Sequence, residues 1–366
     1  MATLFTPLDL KSITLRNRIA VSPMCQYRAV DGLPNDWHLI HYGALARGGA
    51  GLVVVEATGV SPEGRISPGC LGLWNDDQAR ALGPIVEAIS SAGAVPGIQI
   101  GHAGRKASAN VPWEGDDHIP EGDPRGWQPI GPSAVAFGGE LLPRVPTEMT
   151  KADIERVRED FVSAAIRARD AGFKFLMLHF AHGYLAQNFL SPWSNQRTDE
   201  YGGSAENRAR FMLETLEAVR RVWPDELPLC ARLGMIEFDE RDEETLAESI
   251  RLAQQLKERG LDFLDVSISF STPSAKIPWG PAMMRAISHR VLAETGLPGS
   301  TTWNISTPDL AEEMLNDGSA NLVMIGRPLL ANPHWPYAAA KALGVEKPSW
   351  VLPPSYAHWL ERYHSA

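Results

Sequence analysis

The chain has 366 residues, with 34 Lys and Arg against 44 Asp and Glu, giving a formal charge of −10 and a pI near 5.5. That balance, with no basic tract, excludes a binder of phosphate backbones, which hold nucleic acid through clustered Lys and Arg. Three cysteines, Cys25, Cys70 and Cys230, are odd in number and lack C-x-x-C spacing, so neither a disulfide framework nor a thiolate metal site is expected.

Residues 1–8 contain no basic segment followed by an apolar core, and no run approaches the ~18 apolar residues of a membrane span. The expectation is a cytoplasmic chain with no membrane or nucleic-acid partner. Along the chain one pattern recurs: an amphipathic helix, a glycine at its end, then a short apolar run. It occurs at residues 46–56, 91–100, 170–179, 259–266 and 317–325. Glycine after the last helical turn supplies the left-handed residue that ends it. The helices show the 3.6-residue period: Ile154, Val157, Phe161, Ala164, Ala165 and Ala168 mark one face behind a Thr150-x-x-Asp153 capping box. Leu246, Ile250, Ala253 and Leu256 mark another.

With Ile19–Val21, Leu229–Leu233 and the run before Trp303, eight strands are predicted near residues 20, 54, 99, 176, 231, 265, 301 and 324. Eight strands alternating with helices predict a closed α/β barrel, (β/α)8, with an N-terminal cap. An open doubly wound sheet is the competing architecture, but no G-x-G-x-x-G or phosphate-loop motif follows any strand. No linker divides the chain, so residues 1–366 read as one domain. The Gly- and Pro-rich segment 103–146, with Trp113 and Trp127, is too long for a simple connection and is expected to be a lid after strand three. Residues 347–366 read as a C-terminal tail beyond the last helix, after Pro353-Pro354.

In such barrels the reacting groups follow the carboxyl ends of the strands. Those ends are polar here. Strand one leads to Ser22-Pro-Met-Cys25-Gln-Tyr27, strand two to Glu56-Ala57-Thr58, and strand three to Gln99 and His102-Ala-Gly-Arg105-Lys106. Strand four ends in His179-Phe-Ala-His182-Gly-Tyr184, strand five in Arg232, strand seven in Trp303 and strand eight in Gly326-Arg327. Two imidazoles and a phenol within six residues converge if the strand turns into a helical loop. Alone, the hexapeptide fits a packed loop, a zinc site or a cradle for a substrate oxygen.

Five ordered motifs carry a resemblance that spans nearly the whole chain. They are Pro23-Met-Cys-Gln-Tyr27, Gln99-x-x-His-Ala-Gly-Arg-Lys106, His179-x-Ala-His-Gly-Tyr184, Arg197-Thr-Asp-Glu-Tyr-Gly-Gly203 with Glu206-Asn-Arg208, and Ile325-Gly-Arg327. The chain resembles the Old Yellow Enzyme family of flavin-dependent ene-reductases. Cys25 with Tyr27 resembles its bacterial thermophilic-like branch, and Trp303 with Ala357-His-Trp-Leu-Glu-Arg362 resembles the xenobiotic reductases within it.

The resemblance implies a noncovalent FMN across the barrel mouth, reduced by NADPH, and reduction of activated alkenes such as enones. Ser22, Pro23, Met24, Cys25 and Ala57 would pack on the isoalloxazine, and Gln99 would meet its pyrimidine edge. Arg232 would stabilise the reduced anion, and Gly326 and Arg327 would hold the phosphate. Trp303 would wall both cofactor and substrate. Cys25 would act as a weak donor near the flavin, whereas Cys70 and Cys230 read as small hydrophobes. His179 and His182 would hold the substrate oxygen, Tyr184 would protonate the alkene, and Tyr27 would offer a second phenol. Trp359 and the tail would reach a neighbouring subunit's pocket, implying a homodimer or higher even oligomer. Asn304 stands where the family often has glycine, which crowds the phosphate end. A metal-dependent hydrolase or aldolase on the same barrel, and a flavin-binding protein without turnover, are the competing functions.

Overall fold

The computed structural model describes residues 2–139 and 141–363. Glu140 in the segment 103–146 and the last three residues of the tail lie outside the described residues. Eight parallel strands close into a barrel: β1 (Ile19–Val21), β2 (Leu52–Gly59), β3 (Val95–Gly101), β4 (Phe175–Phe180), β5 (Leu229–Ile236), β6 (Phe263–Ile268), β7 (Gly299–Thr301) and β8 (Leu322–Ile325). All eight fall where the apolar runs predicted them. β8 pairs with β1 through Val323–Ile19 and Ile325–Val21, which closes the ring.

The predicted helical faces are the buried ones. Helices α1 (Asp36–Arg47) and α2 (Asp76–Ser91) precede α3 (Lys151–Asp170), which buries Ile154, Val157, Phe161, Ala164, Ala165 and Ala168, and the Thr150–Asp153 capping box is formed in both directions. Phe161 is fully buried against Phe180 of β4, the kind of side chain whose removal costs ~3–5 kcal/mol. After β4 come α4 (Leu185–Leu190) and α5 (Ala205–Arg220), then α6 (Asp242–Glu258), which buries Leu246, Ile250, Ala253 and Leu256. The glycines predicted to end helices, Gly49, Gly93, Gly172, Gly260 and Gly318, all have φ between 80° and 108°, a conformation costly for any residue with a Cβ.

The N-terminal cap is a hairpin of Leu8–Leu10 with Ile13–Leu15. Its turn contacts Asp225 and Glu226, just before β5, so it covers the face opposite the strands' carboxyl ends. Two expectations need correction. Strand five runs on to Ile236, so Arg232 lies within the barrel wall and not at its rim. Residues Pro354–Leu360 form a helix, so Trp359 is part of a helix instead of following the last one. Proline at its first position lacks only an N–H that a helix start leaves unused.

Segment 103–146 contains two single 3-10 turns and a short strand, Ile130–Gly131, paired with Thr147–Glu148. It reaches both sides of the barrel mouth. Trp113 meets Tyr27, after β1, at 5.7 Å between ring centres, and Phe137 meets Phe270, after β6, at 5.9 Å. Arg197 fixes its base by pairing with Asp199 while donating to the carbonyls of Pro132 and Met149. Arg208 likewise ties the carbonyls of Leu190 and Gly203 to Glu248. The Arg197 and Arg208 motifs therefore brace loops away from the chemistry.

Candidate active site

The hexapeptide after β4 does turn. His182 and Gly183 take successive left-handed φ values of 61° and 67°, which end the strand and start α4 one residue beyond Tyr184. That turn brings the three rings together: His179 to His182 at 4.9 Å, His179 to Tyr184 at 5.0 Å and His182 to Tyr184 at 6.4 Å, all edge to face. Burial, then the positive charge of Arg232 among their surroundings, pushes both imidazoles well below their ordinary pKa, so each is neutral with one N–H donor. Burial pushes the Tyr184 phenol up, so it keeps its proton. His179 Nδ1 is buried with no partner among the described residues.

Lys106 holds this loop from below. Its ammonium donates to the carbonyls of His182 and Phe270, each at 2.8 Å, and lies over the rings of Phe137 and Phe270 at 4.1 and 4.2 Å. Both carbonyls belong to non-glycine residues with positive φ, 61° and 51°. Burial pushes the Lys106 pKa down to about 7. Beside it, Arg105 donates to the carbonyls of Ala136 and Ser271, and Glu237, lifted by burial to about 7, accepts the amides of Ser271 and Thr272.

Across the barrel interior runs a second network. Arg232 Nε pairs with Asp265 of β6, whose other oxygen accepts from Ser300 of β7 at 2.6 Å, and Arg232 Nη2 donates to Ser22 after β1 at 3.2 Å. Arg232 is 3% exposed and Asp265 fully buried. The ion pair leaves Arg232 Nη1 without a hydrogen bond among the described residues. A cavity of about 210 Å³ opens beside it, lined by Ser22, Pro23, Met24, His182, Arg232, Trp303, Gly326 and Arg327 along with Asn304 and their neighbours. Seven of the ten expected cofactor residues share this cavity with His182.

The remainder lie around it. Gln99 is buried, its amide N–H against the thioether of Met177 at 3.1 Å, a weak acceptor. Ala57, His179 and Tyr184 line a neighbouring cavity of about 20 Å³ together with Cys70 and His102. The neighbouring Cys70 thiol and then burial raise the Cys25 pKa well above the ordinary thiol value. It is therefore a thiol and not a nucleophilic thiolate. Cys70 was read as a plain hydrophobe; its place against Cys25 makes it part of the site, whereas Cys230 is a buried strand residue. Tyr27 has φ 53°, and burial pushes its phenol far up. Trp359 is 70% exposed and lines neither cavity. Trp303 and Asn304 have φ 74° and 61°, so Asn304 adopts the left-handed geometry its glycine-like position requires.

Glu56, which the sequence places at the end of strand two without a role, has one in the structure. It sits at a register shift in β2 between Val55 and Thr58, and its buried carboxylate accepts the Gln26 amide at 2.8 Å and the hydroxyl of Tyr42 on α1 at 2.9 Å. It thus fixes the loop bearing Cys25 and Tyr27. Burial lifts its pKa to about 7. Among the described residues, no group of three or more His, Cys, Asp or Glu is placed to hold a metal ion. No helix among them is long and apolar enough to cross a membrane.

Residues 3–346 match the model of the NADH:flavin oxidoreductase / NADH oxidase family. The chain is 44% identical over 345 residues to an NADPH dehydrogenase of Geobacillus thermodenitrificans, covering 94% of this chain and 95% of that one. Among solved structures it is similar to morphinone reductase, with a TM-score of 0.77 and 32% identity over 97% of this chain and 92% of that one. The old yellow enzyme homologue of Zymomonas mobilis also gives 0.77, with 27% identity over 97% and 98% of the two chains. Motif order, barrel and whole-length similarity agree: the chain belongs to the NADH:flavin oxidoreductase / NADH oxidase family, that of the Old Yellow Enzymes, and is a flavin oxidoreductase of the NADPH dehydrogenase type.

Proposed function

We propose that the chain is an FMN-dependent, NADPH-driven ene-reductase that reduces the activated C=C bond of α,β-unsaturated carbonyl compounds. The observation that carries this reading is the convergence of two neutral imidazoles and a protonated phenol beside a cavity walled by a buried arginine.

The side chains fit noncovalent FMN. Arg327 makes no ion pair among the described residues, and Gly326 packs closely on Met24, a Cβ there coming within 3.3 Å of Met24 Sδ, while Gly326 and Arg327 both line the cavity. Arg327 and Gly326 would hold the phosphate, Arg232 Nη1 the electron-rich edge of the ring, and Gln99 the pyrimidine. Ser22 to Cys25, Ala57 and Trp303 would enclose the ring system. The chemistry FMN would supply there is hydride transfer, from NADPH and then to the β-carbon of the alkene.

The protein's own part is electrostatic and acid–base. His179 and His182 donate one hydrogen bond each to the substrate oxygen, drawing electrons from the double bond as negative charge develops there. Tyr184 donates its proton to the α-carbon, and Tyr27 supplies a second phenol to the substrate. Lys106 keeps the His182 backbone in place, and segment 103–146 acts as a lid that excludes water. Cys25, held as a thiol, would tune the flavin as a weak donor without attacking substrate. Cyclic enones, maleimides, unsaturated lactones, nitro compounds and nitrate esters share the acceptor oxygen the cradle needs. Trp303 and the Ala357–Arg362 sequence favour a pocket like that of xenobiotic reductase A. By the same resemblance, residues 347–366, with Trp359, contribute across subunits of a homodimer or higher even oligomer.

The test is direct. Protein incubated with FMN and desalted should retain stoichiometric visible flavin absorbance, and should convert cyclohex-2-enone to cyclohexanone at the expense of NADPH. A colourless protein that gains no flavin, or one that oxidises NADPH without forming the saturated ketone, contradicts the reading. Deleting residues 355–366 should change substrate preference; unchanged kinetics would remove the tail from the pocket.

A further inference from the structure

His182 lines the cavity and can present either ring nitrogen as its N–H, but Nε2 is engaged by the protein, so the tautomer decides whether a donor is left for a ligand. Its backbone is pinned at both ends: the amide donates to the Ile268 carbonyl at 3.3 Å, and the carbonyl accepts from Lys106 at 2.8 Å. Backbone anchoring does not decide the tautomer. His182 Nε2 lies 2.8 Å from Ser267 Oγ, and the same oxygen lies 2.9 Å from Trp303 Nε1.

The donor inventory fixes the first bond, and the need to satisfy a buried hydroxyl proton gives the second its direction. An indole N–H only donates, so Ser267 Oγ accepts from Trp303. A serine hydroxyl has one proton, and among the described residues the acceptor within reach of Ser267 Oγ is His182 Nε2. The second lone pair of Ser267 Oγ could also take an Nε2–H, but that would leave the buried serine proton without an acceptor; Ser267 is therefore assigned as the donor and Nε2 as the unprotonated acceptor. The ring is neutral, because burial first, and then the neighbouring His179 and the positive charges of Arg232 and Lys106, hold its pKa well below the ordinary value. Its single proton is then on Nδ1, which has no protein partner among the described residues. Ser267 itself is fully buried on β6. The β5–β6 register shifts between Ser267 and Ile268, a strand irregularity of the kind that re-aims a side chain next to a site.

We propose that Ser267 is a positioning residue that fixes the tautomer of His182, through the relay Trp303 N–H to Ser267 O–H to His182 Nε2, so that Nδ1–H is the donor offered to the substrate oxygen. This deepens the ene-reductase reading and rests on it for the identity of the acceptor, though the tautomer itself does not. The relay also gives Trp303 a polar task besides walling the cavity. A serine at this position is required for its hydroxyl and not for its size.

The experiment uses FMN-loaded enzyme labelled with 15N-histidine, with the His182 resonances assigned by comparison with a His182→Gln variant. Wild type should show the Nδ1-protonated neutral tautomer across the neutral pH range. Ser267→Ala should shift His182 to a mixture or to the Nε2-protonated form and lower kcat/KM for cyclohex-2-enone by ~10–100-fold, the loss of about one well-formed hydrogen bond to a developing charge. FMN affinity should not change. Ser267→Thr, which keeps the hydroxyl, should restore both the resonance and most of the activity. Trp303→Phe removes the donor that orients Ser267 and should give mixed tautomers even with Ser267 intact. An Nε2-protonated His182 in wild type overturns the proposal, as does a Ser267→Ala enzyme with unchanged spectrum and kinetics. If the enzyme reduces no enone yet shows the Nδ1 tautomer and its loss in Ser267→Ala, the functional reading fails while the positioning role stands.

Discussion

On the β4–β6 side of the barrel mouth, polar side chains are committed to one another. Arg232 is bound to Asp265 and Ser22, His182 to Ser267, and Lys106 to two carbonyls. On the β7–β8 side, Asn304, Gly326 and Arg327 line the same cavity with few such commitments; Trp303 crosses over by donating to Ser267. The difference follows from what each side must do. Groups that aim a donor or proton at one reacting atom have to be oriented before a ligand arrives, because a loose donor stabilises a transition state poorly. A group that grips a phosphate gains more by keeping its N–H groups unspent.

That contrast predicts graded effects. The largest belongs to Tyr184→Phe, which should slow reoxidation of the reduced enzyme by an enone by ~10²–10⁴-fold, as for loss of a general acid, while reduction by NADPH keeps its rate. Stopped-flow absorbance separates the two half-reactions, and equal slowing of both would contradict the assignment. Next, Arg232→Met leaves Asp265 charged and buried without its partner, and should lower the unfolding free energy by ~3–5 kcal/mol in urea titrations. Adding Asp265→Leu should recover much of that loss; no recovery would mean the pair is not the source.

A pH effect of about 3 kcal/mol comes from Glu56. Burial lifts its pKa from 4.5 to about 7, so the folded chain holds a proton there that the unfolded chain has released. Its stabilising contribution is complete below pH 4.5 and is lost as pH rises to about 7. Glu56→Gln should flatten the fall in stability across that window, leaving the share due to Glu237, which titrates over the same range. An unchanged slope would show that Glu56 does not titrate there. The smallest effect is on the open side: Arg327→Ala should weaken FMN binding by ~10–100-fold, about 1.5–3 kcal/mol for a hydrogen bond to a charged group, with unfolding free energy unaltered. A destabilised Arg327→Ala protein would mean that the open side is structurally committed after all.

Much of the barrel was legible in the sequence because strands such as residues 52–55 and 175–178 are apolar runs following helices stopped by glycine, both local signals. The hexapeptide after β4 was legible for the same reason: its chemistry is packed into six residues. Segment 103–146 was recognisable as an excursion, but its path depends on Arg105 and Arg197 reaching carbonyls far along the chain, which no local pattern encodes. Asp265 and Arg232 could have been found together. Each is a charge inside an apolar strand, and such a charge demands a partner. Glu56 gave the same signal after Val53-Val54-Val55. Ser267 gave none, since a buried serine in a strand is unremarkable until the atoms on either side of it are known. Cys70 was missed because its partner lies in a different loop.

The central claim is that His179 and His182 together hold the substrate oxygen. Single-turnover reoxidation of NADPH-reduced enzyme by cyclohex-2-enone tests it most directly, comparing wild type with the His179→Ala/His182→Ala double variant, both loaded with FMN. The account predicts rapid recovery of flavin absorbance in wild type, and in the double variant a recovery slowed at least as much as in Tyr184→Phe, with FMN still bound. Recovery at the wild-type rate in the double variant would contradict it.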